Sequence, residues 1–159
     1  MNHLLILSVL AVLPLMEGQE ITSLTACTSA TNDLNLNCNY KKKSTGTIYY
    51  EWSVLTAKNQ TLVLASSMHP NSVAPVYKNR AKVTKTDSQL TVTLTGFGTA
   101  DDGKYTCHLF PSGDTMPEYN KTISVMKATV QTCGASGLLL NTPWMLSLLL
   151  FPVIQSLDV

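Results

Sequence analysis

Apolar and polar residues alternate with a period of two through the middle of the chain, where no helical periodicity is present. Successive side chains of a β-strand point to opposite faces, so each alternating run predicts a strand with one core face and one solvent face. Clear runs cover residues 34–40, 48–54, 90–95, 105–109 and 122–125, and shorter runs lie near 21–26 and 61–65. This all-β pattern predicts a sandwich of two sheets.

Three features narrow the prediction to an immunoglobulin-like β-sandwich. Cys38 and Cys107 both fall on predicted inward faces, so they can form a disulfide between the sheets. Trp52 falls on the inward face of the strand that follows Cys38, where it can pack on that disulfide. Residues 101–107 read Asp-Asp-Gly-Lys-Tyr-Thr-Cys, which places Tyr105 two residues before the second cysteine as the tyrosine corner.

The long stretch between residues 52 and 89 predicts the variable-type (V-set) subclass, because it has room for two additional strands, C′ and C″. Arg80, ahead of the E strand, is placed to form a bidentate pair with Asp101 across one end of the sandwich. The alternative is a surface arginine that contributes little to stability. We also expect Gly103 to adopt a turn conformation that a side chain would oppose.

The beginning of the chain has the pattern of a secretory signal. Residues 4–15 are apolar apart from Ser8 and Pro14, and the run is too short to span a membrane. We expect a signal peptide over residues 1–18, with cleavage between Gly18 and Gln19. Cyclisation of Gln19 to pyroglutamate would then remove the terminal charge.

The end of the chain has the pattern for replacement by a glycosylphosphatidylinositol (GPI) anchor. Small residues, a spacer and an apolar tail follow Cys133, and no Lys, Arg or His lies beyond it. We expect attachment at Cys133, with Gly134 and Ser136 as alternatives, and removal of residues 134–159. The other interpretation is a single-pass span over residues 138–154, which a polar break interrupts and no basic residue follows.

Removal of both ends leaves one domain over residues 19–133 with a mildly basic charge. All 11 Lys and Arg residues lie in it with 8 of the 10 acidic residues, which gives a net charge of +3. That charge is far from the footprint of a nucleic-acid-binding protein. Lys41–Lys43 is the only basic cluster, and a solvated turn is favoured there over a binding patch.

All four cysteines lie in the exported segment, so two disulfides are expected, with three connectivities to choose from. With Cys38 paired to Cys107, the second bridge would join Cys27, at the end of the first strand, to Cys133, after the last. Closing so long a loop stabilises by about 4–5 kcal/mol at most. The alternative is that Cys133 is unpaired.

Catalysis and cofactor binding are not predicted. A catalytic Cys–His pair needs a free thiol, whereas the cysteines are expected in disulfides. His69 and His108 lack metal-ligand spacing. Asp101 and Asp102 alternate between faces, so they do not form an acid–base pair. We therefore expect no enzyme activity, no cofactor and no metal ion.

Two N-glycosylation sequons satisfy the proline rule, at Asn59 and Asn120. Asn59 is predicted in the loop before strand C′, and Asn120 at the start of the last strand, G. Both positions are expected to be exposed in an exported domain.

The chain resembles the Thy-1 family of small, GPI-anchored glycoproteins of the immunoglobulin superfamily. The shared motifs are Thr-Ser-Leu-Thr-Ala-Cys at residues 22–27, Leu-x-Leu-x-Cys at 34–38, Tyr-Glu-Trp-Ser at 50–53 and Asp-Gly-Lys-Tyr-Thr-Cys at 102–107, with Cys133 before a Leu-rich tail. The resemblance implies that Cys133 bears the anchor and also forms the disulfide with Cys27. It also implies a glycan at Asn120.

One departure from the family concerns its integrin-recognition tripeptide, Arg-Leu-Asp, which aligns with Asn35-Leu36-Asn37. Both charges are missing, and an amide replaces poorly a carboxylate that ligates a metal ion. The resemblance therefore implies adhesion and signalling at the outer leaflet of the plasma membrane through surface or matrix proteins, but it leaves integrin binding through this tripeptide in doubt. The alternative function is a single-pass receptor subunit that binds an extracellular protein.

Overall fold

The computed structural model describes residues 20–42, 45–112 and 118–134. The predicted signal peptide, Gln19, Lys43 and the tail beyond Gly134 lie outside these ranges. The described strands are β1 (Glu20–Thr28), β2 (Leu34–Lys41), β3 (Ile48–Thr56), β4 (Thr61–Ser66), β5 (Ala81–Lys85), β6 (Gln89–Leu94), β7 (Gly103–Pro111) and β8 (Tyr119–Val125). Two 3-10 helices, Pro70–Ser72 and Thr99–Asp101, complete the described elements.

The strands form two antiparallel sheets of four strands each. The back sheet has the order β1-β2-β6-β5, and the front sheet has the order β4-β3-β7-β8. The alternating runs of the sequence therefore lie in the strands where they were expected, and the prediction of an immunoglobulin-like sandwich is confirmed.

The core lies between the two sheets and is built from the inward residue of each alternating pair. Trp52 is fully buried and stands opposite Cys107 in the register of β3 and β7. Cys107 is bonded to Cys38 of β2, and both are fully buried, so this disulfide links the sheets through the centre of the core. The roles predicted for these three residues are confirmed.

The stretch between β4 and β5 departs from the prediction. No C″ strand is present among residues 67–80, which form the first 3-10 helix and a series of turns. Pro70 and Pro75 lie within this stretch and have no N–H to donate to a strand neighbour, which accounts for the missing pairing. Strand β5 was not predicted, because its sequence, Ala-Lys-Val-Thr-Lys, has few apolar residues at the edge of a sheet.

Gly103 has a different role from the one predicted. It is absent from the described residues with positive φ, so a turn conformation does not require glycine there. Instead, a Cβ at this position would lie 2.5 Å from the Leu55 carbonyl oxygen and 2.8 Å from Val54 Cγ2. The start of β7 thus approaches the end of β3 too closely for a side chain.

The two ends of the sandwich carry different loops. At one end the Phe97 N–H donates to the Asn32 carbonyl (2.8 Å), and the Lys127 N–H donates to Asp102 Oδ1 (2.7 Å), so both sheets and the segment after β8 meet there. We call this the Cys133 end; it comprises residues 29–33, 55–60, 76–80, 95–104 and 126–134. The far end comprises residues 41–42, 45–47, 67–69, 86–88 and 111–112.

Replacement of Gly103 by alanine should lower the free energy of unfolding by about 1–3 kcal/mol, because β3 and β7 must separate to admit the methyl group. Gly98→Ala is the matched control, since a Cβ there meets nothing within 4 Å and its backbone is extended. Urea unfolding with intact disulfides would measure both. Equal stabilities of the two variants would contradict this account of Gly103.

Candidate functional site

The segment after β8 is fixed to the first strand up to Cys133. The Thr28 N–H donates to the Gln131 carbonyl (2.9 Å), and the Cys133 N–H donates to the Thr28 carbonyl (2.8 Å). Thr28 and Thr132 form a parallel bridge. The neighbouring residues Cys27 and Cys133 are joined by a disulfide. No length of free chain therefore separates the domain from the residue predicted to carry the anchor.

The predicted pairing of Cys27 with Cys133 is confirmed. Their Cα atoms lie 4.9 Å apart, within the range that a disulfide requires. The bridge lies on the outer surface of the back sheet and is partly exposed, where Asn35 Nδ2 donates to Cys133 Sγ at 3.6 Å. Gly134 has a φ of +80°, a backbone conformation that glycine adopts at little cost.

The tripeptide at residues 35–37 lies in β2, beside the disulfide. Leu36 is fully buried in the core. Asn35 Oδ1 accepts a hydrogen bond from Thr93 Oγ1 (2.8 Å), and Asn37 Oδ1 accepts one from Thr91 Oγ1 (2.9 Å). The tripeptide thus presents no carboxylate, its leucine is inaccessible, and its amides are bonded to β6.

These contacts belong to a polar surface of Asn, Ser and Thr side chains that was not predicted from the sequence. Asn39 Nδ2 also donates to Ser23 Oγ of β1 (2.8 Å), which extends the pattern across the back sheet. The sequence signal was the recurrence of Asn on β2 and Thr on β6 at alternate positions. It became informative only once the register placed Asn35 opposite Thr93 and Asn37 opposite Thr91.

Both sequon asparagines are exposed. Asn59 lies in the turn between β3 and β4 with a φ of +60°, a conformation that Asn tolerates better than most residues. Asn120 lies on β8 and stands opposite His108 of β7, whose Nδ1 is 2.8 Å from Glu118 Oε1. The predicted locations are confirmed. One sequon is at the Cys133 end and the other on the front sheet.

The predicted pair of Arg80 and Asp101 forms at the Cys133 end. Arg80 directly precedes β5, and its two terminal nitrogens donate to the two carboxylate oxygens at 3.1 and 2.7 Å. Arg80 Nε also donates to the Thr95 carbonyl (3.0 Å), and hydrogen bonding to Asp101 raises the pKa of the guanidinium. The Tyr105 hydroxyl donates to the Asp101 carbonyl, which confirms the tyrosine corner.

The two described residues of the lysine cluster make few contacts with the rest of the domain. Lys41 and Lys42 are exposed, and Lys42 Nζ lies 3.9 Å from the carboxylate of Asp87, whose side chain is almost entirely exposed. Such a pair contributes little. Within the described ranges, His, Cys, Asp and Glu side chains form no group of three that could hold a metal ion.

Comparison with known proteins decides the family. The immunoglobulin V-set domain matches residues 24–130. The Thy-1 membrane glycoprotein of Mus musculus is 37% identical over 154 residues, which cover 94% of this chain and 91% of the relative. The Gallus gallus protein is 33% identical over 152 residues (94% and 92%), and the Homo sapiens protein 32% over 151 residues (94% and 91%).

The chain belongs to the Thy-1 family. The V-set subclass is confirmed by the same comparison, although this Thy-1 relative lacks a C″ strand in the part that the structure describes. The named relatives are membrane glycoproteins. Among the described residues of the present chain, no helix is long and apolar enough to cross a membrane.

Tyr105 should give this Thy-1 family member a marked loss of stability in alkali. Burial raises its pKa far above the value of about 10 for an unfolded chain. The resulting stabilisation is complete below pH 10 and is lost as the pH rises above it. Tyr105→Phe should cost about 1–2 kcal/mol at pH 7, because the Asp101 carbonyl loses its donor. Above pH 10 its stability should fall less steeply than that of the native protein.

Urea unfolding between pH 7 and pH 11 would measure both effects. Tyr49→Phe controls for the removal of a tyrosine hydroxyl at the surface, since Tyr49 is 40% exposed. Parallel stability curves for the native protein and Tyr105→Phe above pH 10 would contradict this role for the buried hydroxyl.

Proposed function

We propose that this protein is a GPI-anchored cell-surface glycoprotein that mediates or modulates adhesion and signalling in ordered domains of the plasma membrane. In this proposal residues 1–18 are a signal peptide, residues 19–133 are the mature domain, and residues 134–159 are replaced by the anchor. The observation that carries the proposal is that the disulfide and backbone hydrogen bonds hold the chain to β1 up to Cys133, directly before the small residues, spacer and apolar tail of the sequence.

A disulfide and an anchor at the same cysteine are chemically compatible. The disulfide uses Sγ of Cys133, whereas the anchor would be joined to its backbone carboxyl group. The Cys133 N–H is already bonded to the Thr28 carbonyl. The left-handed Gly134 follows immediately, so the bond to be cleaved lies just outside the part of the backbone held by β1.

Adhesion would occur through protein contacts other than the tripeptide at residues 35–37. Its leucine is buried, its amides are bonded to Thr91 and Thr93, and it has no metal-ligating carboxylate. Partners would therefore be surface or matrix proteins that recognise other parts of the domain. Lateral association in the outer leaflet would come from the lipid rather than from a cytoplasmic segment.

Phosphatidylinositol-specific phospholipase C should release the protein from intact expressing cells, because cleavage would separate the polypeptide from the lipid that anchors it. Mass spectrometry of the released form should show a polypeptide that begins at Gln19 and ends at Cys133. Retention of a chain that still contains residues 138–159 would contradict the GPI proposal. That result would favour the single-pass receptor subunit.

Both exposed sequons should carry N-glycans on the surface form. Asn59→Gln and Asn120→Gln should each lower the apparent mass by one glycan, and the double variant should match the enzymatically deglycosylated native protein. A single variant that migrates with the native protein would show that its sequon is not used. Thr122→Ala provides an independent removal of the second sequon, since it leaves Asn120 in place.

A further inference from the structure

Exposed apolar side chains are concentrated at the Cys133 end. The described part of the chain has five large exposed apolar residues: Tyr49, Leu55, Met68, Val76 and Met126. Of these, Leu55 (37% exposed), Val76 (53%) and Met126 (50%) lie at the Cys133 end. Exposed apolar groups at one end of a small domain indicate a contact surface.

These residues form two neighbouring depressions. Leu55 and Met126 line the first, together with Ala57 and Ser124, on the front-sheet side of this end. Val76 and Leu62 line the second, which extends towards Arg80 and Gly96. Thr56 and Ala57 border both depressions, so the two are continuous.

The position of the anchor determines what this end must face. Met126 directly follows β8 of the front sheet, and Cys133 is bonded to β1 of the back sheet. The segment between them therefore passes from the front sheet to the back sheet at this end, on the side where β8 and β1 are adjacent. A lipid attached at Cys133, with no free chain before it, would bring both sides of this end close to the bilayer.

The charged groups around the depressions fit a phospholipid surface. Lys58 and Lys104 are exposed beside Ala57 and Leu55, and lysine side chains can cover apolar surface while their ammonium groups meet phosphates. The nearby carboxylate of Asp102 already has a partner within the protein, since its Oδ1 accepts a hydrogen bond from the Lys127 N–H at 2.7 Å.

We propose that the Cys133 end is a lipid-contacting foot on which the domain stands directly on the outer leaflet. Leu55, Val76 and Met126 enter the headgroup region, and Lys58 and Lys104 meet phosphates around them. The proposal rests on attachment of the anchor at Cys133. It adds a direct contact between protein and bilayer, which an anchor alone does not require.

Two methionines at opposite ends allow a matched test. Met126 at the Cys133 end and Met68 at the far end have similar exposures, 50% and 44%. Each is replaced by tryptophan in the GPI-anchored protein, which is then reconstituted into phosphatidylcholine vesicles with brominated acyl chains. The native Trp52 is fully buried and provides a common background, while Trp144 lies in the segment proposed to be removed.

We expect blue-shifted emission and about a twofold loss of intensity for Met126→Trp, with little change for Met68→Trp, because interfacial side chains lie within reach of the acyl boundary. Release by phospholipase C should restore the emission. Unquenched Met126→Trp in vesicles from which the enzyme still releases the protein would overturn the foot alone. Failure of release would instead count against the anchor itself.

The sequon at the same end provides a second decisive comparison. Asn59 lies in the turn next to Lys58, so a glycan there would compete with lipid for space. Quenching of Met126→Trp should occur in both the presence and the absence of Asn59→Gln. Quenching that requires Asn59→Gln would show that a glycan covers this end in the native protein, and it would overturn the proposal.

Discussion

The disulfide between Cys27 and Cys133 determines how every surface of this domain is placed relative to Cys133. It joins residues separated by 106 positions, so it encloses nearly all of the described chain. A loop of this length gives a stabilisation of about 4–5 kcal/mol at most in the chain-entropy model. Its structural effect is more direct, because it holds Cys133 against the outer surface of β1.

Other interactions at the Cys133 end make this end of the sandwich rigid. Arg80 holds the Asp101 carboxylate with two hydrogen bonds, and the Tyr105 hydroxyl binds the Asp101 carbonyl. Gly103 then allows β7 to begin in close contact with β3. Asp101 is only 5% exposed, so removal of its arginine partner would leave its carboxylate unpaired and poorly hydrated, which destabilises the fold. The end that carries Cys133 is thus fixed by covalent, ionic and steric constraints together.

The sequence was sufficient for the sandwich because its strands alternate strongly and its core markers occur at characteristic positions. Strand β5 escaped detection because an edge strand buries little, and its sequence therefore has little alternation. The absence of C″ could have been suspected from Pro70 and Pro75. The close approach at Gly103, in contrast, depends on how two distant strands pair. Spacing alone cannot distinguish that cause from a positive φ.

In the candidate site, too, features that depend on the pairing of distant strands could not be predicted from the sequence. The two sequons and Cys133 were found because their signals are local motifs, whereas the Asn and Thr surface arises from the register of β2 and β6. The apolar end was also invisible, because Leu55 and Met126 are 71 positions apart and look like ordinary strand residues. Only the fold brings them into one depression at the same end of the domain as Cys133.

These placements restrict where a partner could bind if the anchor and glycans are as proposed. The Cys133 end would face lipid, and a glycan at Asn120 would project from the front sheet beside His108. The back sheet would remain accessible, with Asn35 and Asn37 bonded to threonines and few charges to repel a neighbour. A contact through the back sheet would join molecules that stand side by side on the same membrane, which would suit lateral association. The far end, with Lys41 and Lys42 exposed, would be the part that first meets another cell.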